Sequence, residues 1–166
     1  MRLGWYLALV LAFGAGCSSY RWSSAVPAEL RTVRVPVFRN TTDLTELGPV
    51  AAREVAREFM REGTFRIAGE DAAVEVQGEI VELKIGHGNG DRTTDMRLHD
   101  CPMTAVAAVS VVNRRDGKVV MENRRFTART VFVAGHDQLT GERDASGRLC
   151  EELARQVVDE VLELKW

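Results

Sequence analysis

Residues 149–162 carry two apolar ridges side by side, and no other stretch limits the fold as much. Leu149, Leu153, Val157 and Val161 recur at four-residue spacing, and Cys150, Ala154, Val158 and Leu162 form the next ridge. On a helix this spacing gives one wide apolar face, suited to packing on a sheet. Asp144 or Ser146 is expected to cap the helix start.

The sheet is legible upstream. Arg31 to Phe38 alternates, with Val33, Val35 and Val37 on one parity, the period-2 mark of a half-buried strand. Pro36 lacks an amide donor, so this strand lies at an edge or ends there. Arg39 to Asp43 is turn chemistry. Pro49 to Glu62 reads as a helix whose stripe is Ala51, Ala52, Val55, Ala56, Phe59 and Met60, with Gly63 as C-cap. Glu54 with Arg57, and Glu58 with Arg61, fall on its solvated side. Ala73 to Ile85 is a second strand whose phase slips. Val74, Val76 and Ile80 share one parity, whereas Val81, Leu83 and Ile85 share the other. A strand cannot change faces without an extra residue, which predicts a bulge between Gly78 and Val81.

A glycine loop from Gly86 reaches to about Cys101, and a third strand covers Thr104 to Val112. Asn113 to Lys118 is a hairpin turn marked by Asp116-Gly117. The fourth strand runs from Val119 to about Val133, with Phe126, Ala128, Thr130 and Phe132 on one face. The expected fold is α+β, two helices packed on one face of a four-stranded sheet, in the order β-α-β-β-β-α.

The N-terminus adds an address. Arg2 precedes an apolar run, Leu7 to Phe13, that ends in Gly14-Ala15-Gly16-Cys17. This is the layout of a secretory signal, and a cysteine directly after the small residues resembles a bacterial lipobox. The expected division is residues 1–16 signal peptide, 17–29 lipidated N-terminus and tether, and 30–166 a single domain. Cys17 would carry the acyl chains. A transmembrane anchor needs about 20 apolar residues, and this run is shorter. An ordinary cleaved signal with a chance cysteine is the other alternative.

Twenty-two basic against 24 acidic residues give a net charge of −2, which argues against nucleic acid as a partner. With Cys17 lipidated, Cys101 and Cys150 remain, in an exported chain where disulfides form. Their bridge would close a loop of about 50 residues and stabilise by roughly 3–4 kcal/mol. Two separate buried thiols are the alternative.

Catalytic signatures are missing. Gly86 to Gly90 sits between strands, whereas a phosphate loop must open a helix. His87, His99 and His136 with Asp91, Asp95 and Asp100 lack metal-site spacing, so neither a metal nor a cofactor is expected. Gly-x-Ser-x-Gly is absent. Positive charge is clustered locally instead. Arg114, Arg115 and Lys118 share the hairpin, Arg124, Arg125 and Arg129 the next strand, and Arg92 and Arg97 the glycine loop. Arginines match phosphate and carboxylate groups. These residues are candidates for contact with an anionic glycolipid or with the inner wall of a partner, against the alternative of a solvated rim.

Taken in order, Cys17-x-x-Tyr20, the run Leu30-Arg31-Thr32-Val33-Arg34-Val35-Pro36-Val37-Phe38-Arg39-Asn40-Thr41-Thr42, and the helix exit Gly63-Thr64-Phe65-Arg66-Ile67 resemble the LPS-assembly lipoprotein family (LptE). Ala73 to Ile80, Asp116-Gly117-Lys118-Val119-Val120 and the C-terminal helix continue the resemblance. It implies a non-enzymatic lipoprotein held at the periplasmic face of the outer membrane. Such a protein plugs and helps assemble the LPS-translocon β-barrel and assists lipopolysaccharide transport to the cell surface. The implied partners are that barrel, lipopolysaccharide, and the membrane through the N-terminal lipid. An envelope lipoprotein that activates a periplasmic enzyme or belongs to a secretion pore is the other function considered.

Overall fold

A computed structural model describes residues 26–86, 99–134 and 138–166. Three long antiparallel strands form its frame: β4 (Val74–Ile85), β5 (His99–Asn113) and β6 (Lys118–Ala134). Short strands β1 (Thr32–Arg34) and β2 (Arg39–Asn40) both run parallel to β4, and β3 (Arg66–Ile67) runs parallel to β1. The sheet order is β3-β1-β4-β5-β6, with β2 also on β4. Helices α1 (Leu47–Glu62) and α2 (Gln138–Glu163) cover one face. The fold is thus α+β with two helices, but the sheet is mixed and six-stranded rather than four-stranded.

Two additions explain the difference. β1 stops at Arg34, just short of Pro36, but the chain re-enters the sheet at Arg39 as β2. The shared face expected for Val33, Val35 and Val37 breaks at this point. Val33 is fully buried, whereas Val37 is 68 % exposed and Phe38 turns inward instead. Phe38 fills the space over Gly78, where a Cβ would lie 2.2 Å from its ring. The second addition is β3, too short to leave a periodic pattern.

The predicted bulge in β4 is present. Ile80 pairs with Ala107 and Glu82 with Val106, which leaves Val81 as the extra residue. That shift keeps Leu83 and Ile85 on the helix-covered side with Met103 and Ala105. β6 has its own irregularities opposite Val109 to Val112, with Asn123 at φ 51° and its amide donating to Ser110 Oγ at 2.9 Å. Phe126, Ala128 and Phe132 are buried on the helix side as expected.

Gly63 caps α1 in the left-handed region at φ 87°, donating to the Phe59 carbonyl at 3.1 Å. Met60, expected in the stripe, points outward. Both ridges of α2 are buried except for half-buried Leu162. The helix starts at Gln138, however, so Asp144 and Ser146 lie inside it. Ser146 Oγ donates back to the Glu142 carbonyl at 2.8 Å instead of capping, a bond that satisfies the hydroxyl within the helix.

Candidate functional site

The strand register sorts the candidate residues onto two ends of the sheet. Val33 pairs with Val74, Val74 with Asn113, and Asn113 with Lys118. The start of the described chain and the β5–β6 hairpin therefore share one end. Val26 is buried there, and its carbonyl accepts from Arg31 Nε at 3.2 Å. Ile85, His99 and Ala134 mark the opposite end. Arg92 and Arg97 lie outside the described residues, but the segment holding them starts and finishes at that opposite end.

Within the hairpin the three cations differ. Arg114 Nη1 donates to the Glu70 carbonyl at 2.7 Å, and its guanidinium lies 3.6 Å from the Glu70 and Glu75 carboxylates. Arg34 joins the same group, 2.8 Å from Glu70 and 3.1 Å from Glu75. Arg114 is therefore a tie between the hairpin and the turn before β4. Arg115 and Lys118 are exposed, and their backbone amides hold the turn by donating to Asn113 Oδ1 and Asp116 Oδ1. Their side chains are exposed charges at this end.

The sheet face away from the helices holds a second arrangement, and the paired alternation of three strands was needed to see it. Its middle row on β5 is small and uncharged: Thr104, Val106, Ala108, Ser110 and Val112. Beside it, β4 presents Glu75, Glu79, Glu82 and Lys84, and β6 presents Arg125 and Arg129. Glu79, Ala108 and Arg125 lie in one cross-strand row. Arg124 falls on the helix side and pairs with Glu160 of α2 at 2.8 Å, so adjacent arginines have separate fates.

Cys101 and Cys150 are both buried and stand as free thiols in the structure. Cys101 pairs across the sheet with Phe132, whereas Cys150 faces the helix–helix seam. There its thiol is pushed up to about 12, first by burial and then by the Glu54 carboxylate, with Arg53 opposing. A thiol held protonated is a poor nucleophile. Glu54 is itself a correction, being 5 % exposed instead of solvated. It is held by Arg57 and, at 3.2 Å, by Arg53, as a buried carboxylate must be.

Among the described residues no group of His, Cys, Asp and Glu could hold a metal, and no helix is long and apolar enough to cross a membrane.

Residues 30–161 match the family model described as LptE, lipopolysaccharide-assembly. No curated protein matches. Among solved structures, a candidate lipoprotein from Caulobacter crescentus CB15 superposes with a TM-score of 0.53 at 10 % identity, covering 81 % of this chain and 90 % of that one. A minor lipoprotein from Acinetobacter baumannii gives a TM-score of 0.48 at 10 % identity, covering 81 % and 96 %. The Caulobacter likeness is one of fold.

Proposed function

The chain belongs to the LptE lipopolysaccharide-assembly family, and from that premise we propose that it is an outer-membrane lipoprotein that plugs the LPS-translocon β-barrel. In this role it helps the barrel assemble and assists lipopolysaccharide on its way to the cell surface, without catalysing a reaction. The observation that carries the reading is the family match, which spans the whole sheet and nearly all of α2.

The geometry supports it. The helices bury their apolar stripes against one sheet face, leaving an outer face of charge and small residues that suits a polar barrel lumen. Acylation of Cys17 would tether the domain from the hairpin end, raising its local concentration at the membrane. On this reading Arg115 and Lys118 meet the barrel wall or the glycolipid near the anchor. Arg125 and Arg129 meet the barrel wall along the sheet.

Affinity purification of the full chain from membranes tests the reading. A large outer-membrane barrel is expected to co-purify, and recovery of soluble periplasmic enzymes alone would favour an activator instead. Cys17→Ala is expected to abolish palmitate labelling and membrane retention; normal labelling of that variant would remove the lipoprotein claim.

A further inference from the structure

The two edges of the sheet are treated differently. Along β6, carbonyls that face away from β5 are taken up by α2: Arg148 Nη2 donates to Val131 at 3.1 Å and Gln156 Nε2 to Thr127 at 3.2 Å. A helix lying over an edge is a common protection against stray pairing. On the other side, β1 and β2 accompany β4 only as far as Ile80, where the Thr41 amide and hydroxyl both donate to the Ile80 carbonyl, at 3.1 and 3.0 Å. Past that point no described strand pairs with this side of β4.

The backbone there is turned outward. Gly86 donates to the Pro102 carbonyl at 2.7 Å, and Glu82 and Lys84 stand opposite Val106 and Thr104. By antiparallel alternation, Leu83 and Ile85 then direct their N–H and C=O groups away from β5. Ile85 is 38 % exposed. Beside this edge lies a groove of about 530 Å³ lined by Thr41, Thr42, Leu44 and Leu83, and among the described residues its charged lining is Asp43, Glu82 and Glu142. Glu82 is paired with Lys84. Asp43 and Glu142 keep their carboxylates unpartnered among the described residues.

We propose that Leu83 and Ile85 form a strand-addition site that receives an extended, basic segment of a partner protein. Main-chain bonds to the open edge supply the affinity and the acidic rim selects the charge, the division of labour usual in strand addition. The added strand continues the path that β2 abandons at Thr41.

The test uses the full chain and a fluorescent decapeptide of alternating Arg and Val, compared with one of alternating Glu and Val. The basic peptide is expected to bind, and the Leu83 and Ile85 amides to exchange about tenfold more slowly when it does. Ile85→Pro removes an outward donor and leaves the β5 side intact; it should weaken binding by about tenfold or more. Asp43→Lys with Glu142→Lys changes only side chains outside the sheet, and should weaken the basic peptide while admitting the acidic one. Equal binding of both peptides, no binding, or binding untouched by both variants would overturn the site. So would amides already protected in the peptide-free chain, because the edge would then be filled from within.

Discussion

The two faces of the sheet are built from the same strands yet answer to different constraints. On the helix side, Val33, Val74, Met103, Ala105, Phe126 and Ala128 are buried in one continuous core with both helices. On the other side, Ala108 lies between Glu79 and Arg125, and the charges extend into solvent. The covered face is fixed by packing, where volume and polarity are both costly to change. The open face is nearly free of that demand. Its acid on β4, broken only by Lys84 among the described residues, and its base on β6 are therefore available for a partner to read.

The largest effect should come from the covered face. Phe126→Ala is expected to cost about 3–5 kcal/mol, read from urea unfolding. A smaller loss there would mean that α2 re-seats over the cavity. Gly78→Ala comes next, about 1–3 kcal/mol, because its methyl meets the Phe38 ring. Pairing it with Phe38→Leu should restore part of that, and strict additivity would show that the two positions do not share space.

The hairpin sharpens the contrast within three residues. Arg114→Ala should cost about 1 kcal/mol through its bond to the Glu70 carbonyl, while Arg115→Ala should leave the unfolding midpoint unmoved. On the open face, Arg125→Gln with Arg129→Gln should change stability by less than about 0.5 kcal/mol yet reduce barrel capture. A stability loss equal to that of Gly78→Ala would erase the distinction between the faces.

A last effect shows only in alkali. The folded state holds the Cys150 proton up to about pH 12, whereas the unfolded thiol releases it near 9.0. This contribution is complete below the lower value and falls as pH rises toward the upper one. Cys150→Ala should flatten part of that decline in a pH series of unfolding curves.

Periodicity determined much of this from the residues alone. The two ridges of α2, the phase slip that required a bulge at Val81, the Gly63 cap and the Asp116-Gly117 turn are local consequences of backbone geometry. They stand in the structure where the sequence places them. The ordered run from Leu30 onward likewise pointed to the family that residues 30–161 match. Tertiary structure alone decided what depends on neighbours distant in the chain. It split the first strand at Pro36, turned Phe38 onto Gly78, and buried Glu54 beside Cys150. It also bound Arg114 to Glu70 while leaving Arg115 in solvent, and it turned Arg124 and Arg125 to opposite faces. A charged residue carries no periodic sign of its partner, because pairing is set by register across strands, and register forms only when the sheet does.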